Sequence, residues 1–242
     1  MLFISPPFGN YLNLPNTISI KGSFTLKPRS GLFGQILRTL RYSFKHNGWV
    51  NQIGLRNPGI DWALDKYKNR NDVILSLALC DENEIDEFIE KVPEDKNLEI
   101  NISCPNVHKN KLEDNLGKFV NDKREWCILK LSPTVTEQQI DNYYNQGFRQ
   151  FHCSNTLPVP NFTRRFGPSG GGLSGPSLIS YTTGTILLLS KYDDVVIIAG
   201  GGIRSMETLE KYRKLGATHF SVSTLLFNPF KFGLFYFNYL SS

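Results

Sequence analysis

Leu98-Glu99-Ile100-Asn101-Ile102-Ser103-Cys104-Pro105-Asn106 decides how this chain is read. Its first half carries apolar residues at Leu98, Ile100 and Ile102 and reads as a strand. Its second half sets a cysteine between two asparagines. Asparagine offers donors and acceptors to a planar polar ligand, and a thiol can act as nucleophile or base. Pro105 keeps Cys104 out of helical geometry, so the segment reads as an extended, shaped loop. A lone cysteine before a turn is most often a buried structural residue. Here the flanking asparagines shift the weight towards chemistry.

Outward from this stretch the chain alternates. Upstream, Ile60–Lys68 reads as a helix, 72–79 as an apolar strand and Asp81–Glu90 as a helix with an acidic first turn. Downstream, Leu112–Asn121 reads as a helix and Trp126–Leu131 as a strand. Thr134 or Thr136 then caps a helix to about Asn145. Gln150–Cys153 is a strand, Ser177–Lys191 a helix and Val195–Ala199 a strand. Ser205 caps a helix to Leu215, Thr218–Val222 is a strand, and Pro229–Leu240 a final aromatic helix. Repeated strand–helix units with apolar strands predict a parallel sheet covered on both faces. Six such strands are counted from Val73 onward. The β-rich start, with Thr17–Ile20 and Ser23–Leu26, supplies two more. The expected fold is a (β/α)8 barrel over 1–242 as one domain, with a trimmed first unit; a doubly wound open sheet is the alternative. Leu32–Phe44 shows no clear period, and Asn51–Gly59 reads as a loop. No repeat, low-complexity tract or linker interrupts the chain.

Composition narrows the function classes. The 242 residues are 40% hydrophobic with 20 glycines, which suits a globular protein rich in tight strand–helix turns. Cys80, Cys104, Cys127 and Cys153 are widely spaced, which argues against zinc, iron–sulfur or disulfide frameworks and for a reducing, cytoplasmic setting. The amino terminus does not read as a signal peptide, and no stretch is long and apolar enough for a membrane span. A net charge of +5 suits a small anionic ligand and is too scattered for nucleic acid. His108, Lys109 and Lys111 form a basic loop face.

In a barrel of this kind, function sits at the carboxyl ends of the strands. Those ends carry Asn101, Cys104 and Asn106, then Lys130, then Ser154-Asn155-Thr156, then Gly200-Gly201-Gly202, then Ser223-Thr224. The glycine run lies between a strand and a helix, where the backbone can approach an anion. With Ser223 and Thr224 it is the expected phosphate cup. Lys130 closes an apolar strand, where an ammonium calls for an anionic partner or ligand. The stretch Phe166–Gly175 is too glycine-rich for a regular element and reads as a loop close to a ligand or another backbone.

Taken in order, these motifs resemble the dihydroorotate dehydrogenase family. The resemblance rests on Asn101-Ile-Ser-Cys-Pro-Asn106, Lys130-Leu-Ser-Pro133, Ser154-Asn155-Thr156 and Gly171-Gly-Leu-Ser-Gly175. Ile198–Ile203, Ser223-Thr224, Gly22-Ser-Phe-Thr25 with Lys27-Pro-Arg29, and Asn51-Gln-Ile-Gly-Leu55 extend it over nearly the whole chain. It implies an FMN-binding barrel that oxidises dihydroorotate to orotate in pyrimidine synthesis, in the soluble class that uses cysteine. It implies Cys104 as the base at C5 and Lys130 at the flavin ring. Asn51, Gly54, Leu55, Asn101, Asn106, Asn155 and Thr156 would hold the substrate. Lys21, Ser23, Asn101, Lys130, Gly175, Gly201, Gly202, Ser223 and Thr224 would hold FMN. The implied acceptor is soluble, such as fumarate; a homodimer is compatible, and no membrane, metal or nucleic-acid partner is expected.

Three departures stand out. No room exists between Gly9 and Ile18 for a helix, and Ala199 replaces the glycine that usually opens the phosphate turn. Lys21 sits about one residue off the lysine expected at the second strand, and one residue reverses the face. Competing readings are a related flavin barrel acting on another dihydropyrimidine, and a relative that binds without turnover or serves as a scaffold.

Overall fold

A computed structural model describes residues 1–102, 114–159 and 171–242. The expectations for Cys104, Asn106, the basic loop at 108–111 and the glycine stretch before Gly171 therefore lie outside the described residues. In chain order come β1 (Leu2–Ile4), β2 (Thr17–Phe24), α1 (Leu32–Thr39), β3 (Arg41–Ser43), β4 (Gly48–Asn51), α2 (Ile60–Lys66) and β5 (Val73–Ala78). Next are α3 (Glu84–Lys91), β6 (Leu98–Asn101), β7 (Cys127–Lys130), α4 (Glu137–Asn145) and β8 (Gln150–Cys153). The chain continues through β9 (Leu157–Val159), β10 (Gly171–Ser174), α5 (Ile179–Leu189), β11 (Val196–Ala199), α6 (Met206–Lys214), β12 (His219–Val222) and α7 (Pro229–Leu240).

Strands β1, β2, β5, β6, β7, β8, β11 and β12 pair in that order, and β12 returns to β1 to close an eight-stranded barrel. Every pairing in it is parallel; Leu2 is opposite Thr17 on one side and Phe220 on the other. The fold is a (β/α)8 barrel. Its strands are apolar on both faces because each face is covered, and β5 is buried at all six positions. Alternate residues divide between two cores. Leu75, Leu77, Ile100, Leu129 and Phe151 pack with helix residues such as Phe88, Ile140 and Leu209. Phe3, Ile20, Ile74, Trp126, Ile128 and Ile198 form a separate cluster inside the barrel. One inward position further along, the interior turns polar, with Ser76, Glu99, Lys130 and His152. That change of character makes the carboxyl end a site rather than a core.

The first unit is trimmed, as expected. A single 3-10 turn, Phe8–Asn10, stands where a helix would. Gly9 lies against the carbonyl oxygens of Ile4 and Ile20, and a Cβ there would have no room. The β-rich runs Thr17–Ile20 and Ser23–Leu26 merge into β2, with a register shift between Gly22 and Phe24, and the other early strand is the short apolar run β1. Where Leu112–Asn121 was expected as a helix, the described part holds a 3-10 turn, Leu116–Phe119.

A second, antiparallel sheet runs β3–β4–β10–β9. Its existence corrects the expectation that the glycine-rich segment before Gly175 holds no regular element. Gly171 and Gly172 pair with Val159 and Pro158 on one side, and Gly172 with Asn51 on the other. Glycine serves there because neighbours press close: a Cβ on Gly171 would meet the Asn51 carbonyl at 2.9 Å, and one on Gly172 the Thr156 hydroxyl at 2.5 Å. Trp49 of this sheet stacks on Phe227, at 4.3 Å between ring centroids, just beyond β12.

Three helices start on a side-chain cap, from Thr136 at α4, Ser205 at α6 and Asn228 at α7. At α4 the Thr136 hydroxyl accepts from Gln139 N at 3.3 Å, and the Gln139 side chain accepts from Thr136 N at 3.0 Å. Replacing Thr136 with alanine is expected to cost about 1 kcal/mol. A lower denaturant midpoint at unchanged slope would show it.

Candidate functional site

The carboxyl ends of β6, β7 and β8 bring one polar chain together. Asn101 and Lys130 close their strands side by side in register. Asn155 Nδ2 donates to Asn101 Oδ1 at 2.9 Å, and Asn101 Nδ2 donates to Ser23 Oγ at 3.0 Å. The Thr156 amide donates to Asn155 Oδ1 at 2.8 Å. Ser23 and Ser76 share a hydroxyl contact of 2.8 Å, and Ser76 donates onward to Glu99 Oε1 at 2.7 Å. Ser23, Asn101, Lys130, Asn155 and Thr156 are thus brought together as the motifs suggested.

Glu99 ends that chain. Its other oxygen takes His152 Nδ1 at 2.6 Å, and Lys130 Nζ lies 3.4 Å from Oε1. Burial would raise the Glu99 carboxyl, but the Lys130 ammonium, the His152 ring and the hydrogen bonds outweigh it and hold the group well below the usual carboxylate range. Burial and Lys130 lower His152, outweighing the pull of Glu99. The carboxylate is therefore ionised and accepts only, which assigns the ring proton to Nδ1. Neither Glu99 nor His152 was singled out by sequence reasoning. The signal was a polar residue inside an apolar strand at an inward position, two before Asn101 in one case and between Phe151 and Cys153 in the other.

A pocket opens above this network. Lys130, Asn155 and Thr156 line one side, Gly175, Gly201 and Gly202 another. Ser223, Thr224, Ser154 and His152 complete it. The glycine turn is built for close approach. Gly201 has φ +81°, and a Cβ on it would lie 3.0 Å from Thr182 Oγ1 and 3.2 Å from Leu178 Cβ and Ser154 Oγ. The turn is held from behind: Thr182 Oγ1 donates to Gly200 O and the Tyr212 hydroxyl to Gly201 O, both at 2.9 Å. Ser223 lines the pocket and spends its hydroxyl proton on Pro6 O at 2.8 Å.

Other expected residues stand elsewhere. Lys21 is 2% exposed, and its Nζ donates to Gly9 O at 2.6 Å and Asn13 Oδ1 at 2.9 Å. Its neighbour Ile20 faces the barrel interior, so Lys21 points outward and braces the β1–β2 connection. As a cofactor-binding residue it is replaced by that bracing role; the one-residue offset did reverse the face. Asn51 sits in β4 opposite Gly172, and Gly54 and Leu55 lie in the loop beyond, both with positive φ; none of the three lines the pocket.

The thiols divide sharply. Cys127 is buried beside Arg124, and burial pushes it up to about 12; its Sγ donates to Phe119 O at 3.4 Å. Cys153 belongs to the outer core, and burial raises it further. Cys80 receives Arg29 Nη2 at 3.3 Å. Neither buried thiol is a base for a ligand in the pocket.

An eight-stranded barrel whose carboxyl mouth joins a strand-end lysine, paired asparagines and a glycine cradle defines a small-ligand enzyme site. Residues 10–232 match the family described as dihydroorotate dehydrogenase. The catalytic subunit of dihydroorotate dehydrogenase B (NAD(+)) from Geotalea daltonii is 31% identical over 246 residues, covering 91% of this chain and 79% of that protein. The protein of the same name from Halalkalibacterium halodurans is 30% identical, covering 89% and 77%. Among solved structures, the Eimeria tenella enzyme in complex with ferulenol superposes with a TM-score of 0.67 at 20% identity, over 88% of this chain and 71% of that one, and supports the fold. The chain belongs to the dihydroorotate dehydrogenase family and is an oxidoreductase of the CH–CH class. Among the described residues, no helix is long and apolar enough to cross a membrane.

Proposed function

We propose that this protein is one FMN-binding barrel domain that oxidises dihydroorotate to orotate in pyrimidine synthesis. The observation that carries the reading is the unbroken polar chain from Thr156 through Asn155, Asn101 and Ser23 to Glu99 and Lys130, ending beside the glycine cradle. FMN fits this donor set. The cradle admits a phosphate where a side chain would clash, and Lys130 supplies the positive charge that favours an anionic reduced ring. Gly175, Gly201, Gly202, Ser223 and Thr224 would hold the phosphate end, and Ser23, Asn101 and Lys130 the ring. Bound FMN supplies a two-electron acceptor for the hydride that leaves C6 of the substrate.

This chain's residues perform the remainder. Asn101, Asn106, Asn155 and Thr156 orient the dihydropyrimidine through its amide and carboxylate groups; Asn51, Gly54 and Leu55, which the resemblance also implied, lie off the pocket wall. Cys104 takes the C5 proton, so that loss of the proton and the C6 hydride leaves the C5–C6 double bond. The buried thiols Cys127 and Cys153 offer no rival base. For the electron acceptor, the relatives are named as catalytic subunits of NAD(+) enzymes. That name favours NAD(+) reached with a second subunit over fumarate. A soluble, cytoplasmic setting suits both.

Purified protein is expected to be yellow and to bleach on adding dihydroorotate without oxygen. Colour without bleaching would reduce the reading to flavin binding alone. Bleaching only by another dihydropyrimidine would move the substrate. Prompt reoxidation of the isolated, reduced protein by fumarate would reinstate fumarate as acceptor.

A further inference from the structure

The polar network below the pocket includes Glu99 and His152, which lie outside the motifs that carry the resemblance. Glu99 is 0% exposed, yet both of its oxygens are engaged: Ser76 and Lys130 on Oε1, His152 on Oε2. Lys130 is flanked on one side by β6, which carries Glu99, and on the other by His152 of β8, its register partner. The side chains of Glu99, His152 and Lys130 come from three adjacent strands and meet inside the barrel. Of the three contacts to the carboxylate, that of Lys130 is the longest at 3.4 Å, against 2.7 Å from Ser76 and 2.6 Å from His152. The two shorter contacts hold one carboxylate oxygen each. The longer one restrains an ammonium that has three protons to give and lines the pocket.

We infer that Glu99 positions Lys130: the buried carboxylate holds the ammonium at the pocket floor and offsets part of its charge, and Ser76 and His152 fix the carboxylate. The inference rests on the reading that Lys130 faces FMN. Its consequence is electrostatic. An ammonium beside the ring favours the anionic reduced flavin, and a carboxylate paired with that ammonium tempers the effect. Glu99 does not touch the ring; it acts through the lysine.

The test compares wild type, Glu99→Gln, Lys130→Met and the double variant as FMN-loaded proteins. Flavin content is read from absorbance, and the midpoint potential from equilibration with dyes of known potential. Glu99→Gln is expected to keep its FMN and to raise the reduced-to-oxidised ratio at fixed potential by roughly tenfold, equivalent to about 30 mV for a two-electron couple. In the Lys130→Met background the same change should alter the ratio far less, because a buried carboxylate stripped of its ammonium takes up a proton. An unchanged potential in folded, FMN-loaded Glu99→Gln overturns the inference. So does an equal shift in both backgrounds, which would mean that the carboxylate acts on the flavin directly. Should Glu99→Gln not fold, His152→Phe, which removes the donor to Oε2 and also alters the pocket wall, is compared with and without Lys130→Met. An upward shift seen only with Lys130 present supports the inference, and no shift, or an equal one in both backgrounds, overturns it. Wild-type protein unable to take up FMN would instead reject the proposed function itself.

Discussion

Cys104→Ala protein is expected to bind FMN and orotate as the wild type does and to lose about 10² to 10⁴ of its rate of flavin reduction. Removing a proton from carbon needs a base in its ionised form. An ordinary thiol has a pKa of about 8.5, so only a small fraction is thiolate at neutral pH. The base form grows as pH rises, so wild-type reduction should accelerate about tenfold per pH unit below the thiol pKa and level off above it. A serine at this position ionises much less readily and should leave a trace of activity that needs higher pH. Stopped-flow reduction by dihydroorotate without oxygen measures each case. Wild-type rates in the alanine variant would remove Cys104 as the base. The two buried thiols could not then replace it, since burial holds both far from ionisation.

Gly201→Val is expected to abolish flavin retention. The backbone there has φ +81°, which an L side chain adopts only with strain, and the new Cβ would press on Thr182, Leu178 and Ser154. Each of these is anchored, so the turn must move instead. Thr182 bonds Gly200 O, Leu178 is buried at the start of α5, and Ser154 shares a 3.1 Å contact with Thr182. A turn displaced by an ångström no longer cups a phosphate. Absorbance per mole of protein, with circular dichroism to establish folding, reads the outcome. Full flavin content in a folded variant would remove this turn as the phosphate site.

How much was visible beforehand differs from element to element. The six later barrel strands were legible because each is a short, largely apolar run bounded by polar or glycine-rich segments, and burial on both faces erases any alternation that could mislead. The small sheet was not legible. Gly171 and Gly172 have no strand propensity of their own; they are strand because Val159, Pro158 and Asn51 supply partners from distant segments. Helix α1 did carry a helical period, with Leu32, Phe33, Ile36 and Leu37 at i, i+1, i+4 and i+5, but sequence reasoning missed it among the basic residues that follow. Its apolar face is turned to solvent, with Phe33 74% and Leu37 59% exposed.

The site divides along the same line. Asn101, Lys130, Asn155, Gly201 and Gly202 could be read from the chain because strand-end position and residue type are local properties. Lys21 could not be settled that way. Which side of a strand a residue faces depends on register, and only pairing within the barrel turned its ammonium toward Gly9 and Asn13. The linkage of Glu99 with His152 and Lys130 is likewise a tertiary fact. The three residues are separated by 31 and 22 positions in the chain, and closure of parallel strands alone brings their side chains into one buried space. Local sequence determined the strands, the turns and the chemical groups available. The barrel decided which of those groups meet, because contact between distant strands is set by register and closure rather than by any residue's own preference.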